Sequence, residues 1–478
     1  MLLKTPSQSL TEQLAERFAQ RIRDRLLSAG ARLPSVRQCA QQQGVSPSTV
    51  VGAYDQLLAQ GLVEARKNRG FYVREMAPAH VEYGGGAMHS GANGAAADAP
   101  APHHRPPLNA STLIRGMFHR TSDKPQPGMG VLPQEWLQTT FLATAVRRSC
   151  SVDALNAFSL QYGEPAGNGG LRRALSTKLA GLAVQAAPEQ IITTVGATQA
   201  LDVVSRTLLR AGDYVMVEEP GWAIEFARLD ALGMRILPVP RRADGPDLAV
   251  MARYCEAHSP KLFVSVSVFH NPTGFCLSPS SAYRILQLAN QHDFHVVEDD
   301  TYSHFAPPHA TRLCALDGLQ RTIYVGGFAK ILAPNWRIGY LAAPTALVER
   351  LLDTKLLSTL TTPALLESAL AWCIDQGQLR RHAERIRVRL DAARARSTRL
   401  ALAAGCRFAA EPAGLFGWVD TGVDTDVLAQ RMLDEGYLLA PGALFHAQRA
   451  PSSLMRINFA STQETQFWAT FERLRAEQ

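Results

Sequence analysis

The 478-residue sequence has no apolar run that approaches the roughly 20 residues needed to span a bilayer. Its start, MLLKTPSQSL, lacks the basic, apolar and small-residue regions of a secretory signal peptide. The seven cysteines are scattered without a CxxC pair, which argues against a disulfide framework or a structural zinc site. The HExxH motif of zinc proteases is also missing. These absences predict a cytoplasmic protein with no membrane partner and no metal.

The charge of the chain is concentrated at one end. Residues 1–75 hold eleven Lys and Arg against six Asp and Glu, a net charge of +5, whereas the other 403 residues carry only +2. A basic excess in a short segment is typical of a nucleic-acid-binding surface.

Residues 1–75 are predicted to form a small helical domain. Apolar residues at a spacing of four from Leu10 to Leu26 indicate a first helix. Ser35 marks the start of a second helix, and Ser46 followed by Pro47 marks the start of a third. Two short strand-like runs then flank a basic tip at residues 67–70. This is the order of a winged helix-turn-helix, whose third helix enters the major groove of DNA.

The stretch RLPSVRQCAQQQGVSPSTVVGAYDQLLAQGLV resembles the DNA-binding domain of GntR-type bacterial regulators. One departure is Pro47, where that family often has arginine, so one contact with DNA is missing or is supplied elsewhere. The alternative is a helical domain with a solvated basic face. The resemblance implies that these residues contact DNA: Arg32, Arg37, Ser46, Ser48, Thr49, Arg69 and Gly70.

Residues 76–110 are predicted to be a flexible linker, and residues 111–478 an α/β domain. The linker is rich in Ala, Gly and Pro, and its His103-His104 pair is interpreted as solvated rather than metal-binding. About 35 such residues span roughly 30–35 Å on average. After residue 111, strand-like runs alternate with helical patterns, which predicts a mostly parallel sheet.

Polar motifs stand at the ends of the predicted strands, where functional residues of such folds gather. They are VGATQ at 195–199, EPGW at 219–222, HNPTG at 270–274, DDTY at 299–302, and Lys330 in VGGFAK. Lys330 lies among glycines and apolar residues, although a buried ammonium is costly unless it is paired or neutral. A phosphate site, an aromatic, an amide, a carboxylate, a phenol and a lysine are together the groups that pyridoxal phosphate needs.

Residues 125–475 resemble the fold-type I aminotransferases through HNPTG, DDTY, the K-x6-R spacing and MRINFA, in that order. The resemblance implies that Lys330 is the Schiff-base lysine and that Arg456 binds the carboxylate of a substrate or effector. It also implies a homodimer, because Tyr162 matches a tyrosine that reaches the phosphate of the neighbouring subunit. Core packing for Tyr162 and Trp222, and a strand-edge position for Arg456, are the alternatives. The implied cofactor-binding residues are Ala197, Thr198, Trp222, Asn271, Asp299, Tyr302, Lys330, Arg337 and Tyr162.

Two hydroxyl groups of the aminotransferase pattern are missing near the lysine. Gly327 and Ala329 stand where the family usually has Ser or Thr and Ser. Because a hydrogen bond contributes about 0.5–1.5 kcal/mol, and about 1.5–3 kcal/mol to a charged group, we expect weaker retention of the cofactor.

A GntR-like DNA-binding domain joined to an aminotransferase-like domain resembles the MocR subfamily of bacterial transcription regulators. The resemblance implies a homodimer on double-stranded operator DNA, in which an amino compound or pyridoxal phosphate changes operator binding. Two alternatives remain open, an active aminotransferase with an appended DNA-binding domain and a cofactor-free repressor.

Overall fold

The computed structural model describes residues 9–23, 27, 30–66, 70–74 and 124–478. The chain divides into two compact units, Met1–Thr121 and Ser122–Gln478. The predicted linker at 76–110 and the tip of the basic hairpin, including Arg69, lie outside the described residues.

The described part of the smaller unit has three helices and a hairpin in the predicted order, which confirms the winged helix-turn-helix. The reciprocal Ser9–Glu12 cap starts the first helix, and the Ser46 hydroxyl accepts a hydrogen bond from Thr49 N at 3.2 Å to cap the third. Gly44 ends the second helix at φ +64°, in the left-handed region that glycine adopts freely. The elements are α1 Leu10–Arg23, α2 Val36–Gln43, α3 Pro47–Ala59, β1 Val63–Arg66 and β2 Gly70–Val73.

Tyr54 anchors α3 to the rest of this unit. Its ring is fully buried and meets the edges of Phe18 at 5.7 Å and Phe71 at 5.0 Å between centroids. Its hydroxyl donates to Pro34 O at 2.8 Å, so the phenol is satisfied inside the core. The third helix is therefore held rigidly, with its amino-terminal residues left at the surface.

The larger unit is built on an eight-stranded sheet. The strands run in the order β3-β10-β9-β8-β7-β4-β5-β6, and the pairs from β9 to β5 are parallel, while β10 is antiparallel to both of its neighbours. This confirms the mostly parallel sheet. The strands are β3 Ile191–Thr194, β4 Tyr214–Glu219, β5 Arg235–Arg242, β6 Gly245–Pro246, β7 Leu262–Ser265, β8 His295–Asp299, β9 Thr322–Gly327 and β10 Gly339–Ala342.

Helices cover both faces of this sheet. Alternate residues of a strand enter separate cores, as Val215 and Val217 do on one face and Met216 on the other. Because both faces are buried, the central strands are apolar runs rather than alternating ones. The helices of the unit up to the second sheet are α4 Gln134–Leu137, α5 Phe141–Ser149, α6 Val152–Ser159, α7 Gly169–Ala180, α8 Ala197–Leu208, α9 Ala223–Ala231, α10 Leu248–His258, α11 Pro279–His292, α12 Leu313–Asp317, α13 Thr345–Thr359, α14 Ala364–Asp375 and α15 Gln378–Ala403.

A smaller antiparallel sheet follows, in the order β11-β12-β14-β13. Its central strand β14 pairs Arg456 with Trp418 of β12 and with Ala440 of β13. Arg456 therefore lies inside the sheet, and the strand-edge alternative is wrong. The elements are β11 Arg407–Phe408, β12 Phe416–Asp420, α16 Thr425–Asp434, β13 Ala440–Pro441, β14 Leu454–Asn458 and α17 Thr465–Ala476.

One strand is shorter than predicted. The run KLFVSVSVF, residues 261–269, suggests a strand throughout, but β7 ends at Ser265. The reason is that Val266 N donates to the buried carboxylate of Glu218 at 2.9 Å instead of to a neighbouring strand. The chain then leaves the sheet and forms the loop that carries Asn271.

All seven cysteines are free thiols. Among the described residues, no helix is long and apolar enough to cross a membrane. The same part of the chain contains no group of His, Cys, Asp and Glu side chains arranged to hold a metal ion.

Candidate functional site

The loop after β3 forms an anion-binding cradle. Gly196, at φ +84°, precedes α8, so the first N–H groups of that helix, on Ala197 and Thr198, have no intrahelical acceptor. Arg337 donates to Val195 O at 3.2 Å, and its Nη2 atom would lie 2.5 Å from a Cβ added at Gly196. A helix amino terminus beside an arginine is a site suited to a phosphate group.

Lys330 lies three residues beyond β9, with its amine directed at the main chain of an earlier segment. Its Nζ donates to Gly130 O at 2.7 Å. Burial lowers the pKa of Lys330 to about 8, with a contribution from the positive charge of Arg456. A fraction of this amine is therefore neutral near neutral pH, the form in which lysine acts as a nucleophile.

Asp299 ends β8 and has a carboxyl group that favours a cationic partner. It accepts hydrogen bonds from the main chain of Thr301 at 3.1 Å and from the hydroxyl of the same residue. Burial nevertheless raises the pKa of Asp299 to about 6. A positive charge next to this carboxyl group would restore its ionised form, and the protonated ring nitrogen of pyridoxal phosphate is such a charge.

Asn271 links the phenol of Tyr302 to the guanidinium of Arg456. Its Nδ2 donates to the Tyr302 hydroxyl at 3.2 Å, and its Oδ1 accepts from Arg456 Nη1 at 2.9 Å. Burial raises the pKa of Tyr302, so the phenol stays protonated. The three predicted residues therefore form one connected polar group.

Arg456 is almost completely buried between two aromatic rings. Its guanidinium carbon lies 4.3 Å from the centroid of Phe416 and 5.2 Å from that of Phe445. Burial lowers the pKa of Arg456 to about 10, which still leaves it charged at neutral pH. Nη2 donates to Gly128 O, while Nε has no hydrogen-bond partner within the described residues. A buried cation with an unsatisfied N–H group is suited to a carboxylate ligand.

The segment 126–131, QPGMGV, completes the site and was not predicted from the sequence. Its carbonyl groups accept from Arg456 at Gly128 and from Lys330 at Gly130. Asn458 Nδ2 holds the same segment through Met129 O at 2.9 Å and Val131 O at 2.7 Å. A Cβ at Gly128 would lie 2.6 Å from Leu439 O, so the glycine is required by close packing. Two glycines between Pro127 and Pro133 were the signal that could have drawn attention to it.

The two predicted aromatics occupy different surroundings. Trp222 stands at the amino terminus of α9, half-buried against the core of the large sheet. Tyr162 is 84% exposed in the single chain, so the core-aromatic alternative is wrong for this residue. Its place at the phosphate of a neighbouring subunit stays a prediction.

The predicted DNA-contacting residues with described side chains lie at the surface of the smaller unit. Arg32, Arg37, Ser46 and Ser48 are exposed, and Thr49 is half-buried. The Ser46 hydroxyl lies 2.8 Å from those of Ser48 and Thr49, so three hydroxyls cluster at the start of α3. A Cβ at Gly70 would lie 3.4 Å from Arg32 Nε, which places that guanidinium beside the wing.

The donor set of the larger unit fits pyridoxal phosphate: an anion cradle, a lysine with a lowered pKa, and a carboxyl group whose pKa burial has raised. The fold and this site define an aminotransferase-like unit in the same chain as a winged helix-turn-helix.

Comparisons with known proteins agree with this architecture. Residues 142–474 match the aminotransferase class I and II family, and residues 10–73 match the gntR family of bacterial regulatory proteins. The probable rhizopine catabolism regulatory protein MocR of Rhizobium meliloti is 30% identical over 78% of this chain and 73% of its own. The uncharacterized HTH-type transcriptional regulator YisV of Bacillus subtilis is 27% identical over 80% of this chain and 78% of its own. A kynurenine aminotransferase of Pyrococcus horikoshii, solved in complex with PMP, superposes with a TM-score of 0.67 at 26% identity, over 74% of this chain and 91% of that chain.

The chain belongs to the MocR subfamily of GntR-type transcription regulators, with a large unit from the pyridoxal-phosphate-dependent aminotransferase class I and II family.

Proposed function

We propose that an amino carboxylate bound in the larger unit changes the affinity of this regulator for its operator DNA. The observation that carries the proposal is Arg456, a buried cation beside Lys330 and Asn271 whose Nε has no hydrogen-bond partner in the part of the chain that the structure describes. A guanidinium has five N–H groups, and two are used here by Asn271 and Gly128. The remaining N–H groups include the Nε–H group, which is available to a ligand carboxylate.

The residues at the strand ends would hold pyridoxal phosphate next to that arginine. Ala197, Thr198 and Arg337 would take the phosphate, Asp299 the ring nitrogen, and Asn271 with Tyr302 the ring oxygen. Trp222 would stack on the ring. When bound, the cofactor supplies an aldehyde that condenses with primary amines, which restricts effectors to compounds with an amino group.

The segment 126–131 gives such a ligand a route to the rest of the unit. A carboxylate at Arg456 competes with Gly128 O, and any change at the Lys330 amine alters its bond with Gly130 O. An effector shifts a two-state equilibrium only through its different affinity for the two states. Loss of these two hydrogen bonds is the differential interaction that we assign to the effector-bound state.

We further propose a homodimer that reads two half-sites of the operator. Val152 is 74% exposed, Leu160 76% and Leu357 92%, which is unusual for apolar side chains. A Cβ at Gly163 would lie 3.5 Å from Thr362 O, so the chain just after Leu160 and Tyr162 lies close to the chain just after Leu357 and Leu360. The predicted position of Tyr162 at the neighbouring phosphate site requires this surface to be the interface.

Operator binding in the presence of matched ligands tests the proposal. The probe is a fluorescent duplex with the sequence upstream of the protein's own gene. Cofactor-loaded protein is titrated into it, and binding is measured by fluorescence anisotropy. Amino acids should change the affinity by about 5- to 150-fold, the usual range of allosteric coupling. The corresponding hydroxy acids, which lack the amine, and amines without a carboxylate should have little effect. The assignment would be contradicted if amino acids changed the DNA affinity of Arg456→Gln as much as that of the wild type. It would also be contradicted if no amino compound changed the DNA affinity of the wild type.

The absorption spectrum separates this proposal from a cofactor-free repressor. Added pyridoxal phosphate should give a protein-bound visible band in the wild type, and that band should be absent or altered in Lys330→Ala. A protein that binds its DNA but gives no such band at any cofactor concentration would be a repressor that uses the large unit for assembly alone.

A second candidate is an active aminotransferase, which the match to that family favours. Sustained production of keto acid from an amino acid and a 2-oxo acid, lost in Lys330→Ala, would establish it. A single turnover that stops would instead support a sensor.

A further inference from the structure

The helix α15, Gln378–Ala403, carries an unusual concentration of positive charge. Its 26 residues hold eight arginines against Glu384 and Asp391, a net charge of +6. Because all 403 residues after Glu75 sum to only +2, the remainder of that region outside α15 is net negative, at −4. The net positive charge of residues 76–478 is therefore placed on one element.

Five of these arginines form a stripe along one side of the helix: Arg381, Arg385, Arg389, Arg396 and Arg399. At 100° per residue they fall within a sector of about 80°, and from end to end they span about 27 Å. All five are exposed. We call this set the arginine stripe.

The carboxylates of the helix do not neutralise the stripe. Glu384 pairs with Arg380 at 3.2 Å, and Asp391 pairs with Arg394 at 2.6 Å, both on the flank of the helix. Within the described residues, the stripe arginines form no ion pair. Arg381 and Arg396 donate to the main-chain carbonyls of Gln376 and Gln463, which carry no net charge.

The opposite face of α15 holds the stripe in place. Leu379, Ile386 and Leu390 are buried there, and the Ser397 hydroxyl makes a buried hydrogen bond with that of Thr462. A helix fixed along its length presents its arginines on a rigid line. Five unneutralised like charges on such a line repel one another, a cost that an anionic partner removes.

We propose that the arginine stripe is a second DNA-binding surface, which contacts backbone phosphates outside the base pairs read by the winged helix-turn-helix. Duplex DNA carries about one negative charge per 1.7 Å of axis, so a 27 Å row of guanidinium groups faces many phosphates. Val388 and Leu402 are isolated exposed apolar residues beside the stripe, too few for the apolar face of a membrane-binding helix. This inference rests on the proposed regulator function and adds a sequence-independent contact to it.

The experiment compares two double variants that remove the same charge. Arg385→Gln with Arg389→Gln neutralises part of the stripe, while Arg206→Gln with Arg380→Gln removes two exposed arginines that are paired with Asp202 and Glu384. Full-length dimeric protein is titrated with DNA from upstream of its own gene, once as a short duplex and once extended by mixed-sequence flanks, at several salt concentrations.

For the stripe variant on the extended duplex, the slope of log affinity against log salt should fall in magnitude by about 1.8, because each lost phosphate contact contributes about 0.9. The control variant should retain the wild-type slope, and the two variants should differ little on the short duplex. Circular dichroism and cofactor absorption should be unchanged in both.

Three outcomes overturn the inference. Equal slopes for both double variants would show that the stripe does not contact DNA. If the wild type binds vesicles of phosphatidylglycerol and phosphatidylcholine and the stripe variant does not, while both bind DNA equally, the stripe contacts a membrane surface instead. If the stripe variant changes the salt slope on the short duplex as much as on the extended one, the stripe makes no contact outside the operator. In this experiment the proposed regulator function fails if the wild type does not bind the DNA at all, a result that is distinguishable from the three above.

Discussion

At the scale of single residues, Gly327 is the position where a small change should strengthen cofactor binding. A Cβ at Gly327 would lie 3.5 Å from Ala197 N and 3.6 Å from its Cβ, which are ordinary contact distances. The added side chain would therefore point at the amino terminus of α8, where the phosphate is proposed to bind.

Gly327→Ser should increase the affinity for pyridoxal phosphate by about 10-fold or more. A new hydrogen bond to a charged group contributes about 1.5–3 kcal/mol, less the cost of fixing the hydroxyl. The measurement is equilibrium titration of protein freed of cofactor, followed by visible absorption.

Gly327→Ala is the matched control, because it adds the same Cβ without a hydroxyl. If the alanine and serine variants gain cofactor affinity equally, the increase comes from a more rigid backbone and not from a hydrogen bond to the phosphate. If neither differs from wild type, the missing hydroxyl does not limit cofactor retention.

At the scale of elements, the carboxyl-terminal part of the segment 126–131 is held by Asn458, while its start is fixed by hydrogen bonds of Gln126 and Gly128 with Leu438. Asn458 is completely buried and donates to two carbonyls of the segment, whereas the bonds from Arg456 and Lys330 compete with ligand groups. Asn458 is therefore a positioning residue for the segment.

Asn458→Asp should loosen the segment without changing its packing volume. It replaces an amide donor with an oxygen that faces Met129 O and Val131 O, so two attractive contacts become repulsive. Hydrogen exchange followed by mass spectrometry should show faster exchange of the amides at residues 128–132 in the variant. Cofactor with an effective amino acid should shift exchange in the same direction in the wild type.

Met129→Leu serves as the control, because it keeps both main-chain acceptors and nearly the same volume. Slow exchange of these amides in Asn458→Asp would show that Asn458 does not hold the segment. If the exchange rates of these amides in the wild type do not change when cofactor and amino acid bind, the segment does not couple the ligand site to the rest of the unit.

At the scale of the whole molecule, the exposed apolar side chains near Tyr162 predict that assembly depends on this surface. Leu160→Glu should give a monomer in light scattering, because a carboxylate buried in an interface lacks a partner. Cofactor affinity should fall in the same variant, since the neighbouring tyrosine would no longer be supplied.

Leu316→Glu is the matched control, as Leu316 is also exposed, at 56%, and lies on α12, away from these runs in sequence. A dimeric Leu160→Glu protein with normal cofactor affinity would mean that the interface lies elsewhere. Monomeric behaviour of both variants would instead indicate general destabilisation.

The element order of both units and the strand-end motifs were predictable from local signals. Cap residues such as Ser46, the apolar periodicity of the helices, and the buried β-runs act over a few positions, so they are visible in the sequence. Lys330, Asp299 and Arg456 were assigned through the resemblance of short motifs to those of the aminotransferases, and each motif lies within a few adjacent positions.

Contacts between distant positions were decided only by the tertiary structure. Lys330 meets Gly130 across 200 positions, and Arg456 meets Asn271 across 185. No local rule reports which carbonyl an amine reaches, or that β7 ends where Glu218 takes its next N–H group. The arginines of α15 are plain in the sequence, but burial of the opposite face decides which of them face solvent. The sequence by itself determined the helices, the strands and the chemical groups at their ends, because these depend on short-range propensity. Only the tertiary structure determined which of these groups come into contact, because that depends on packing between distant parts of the chain.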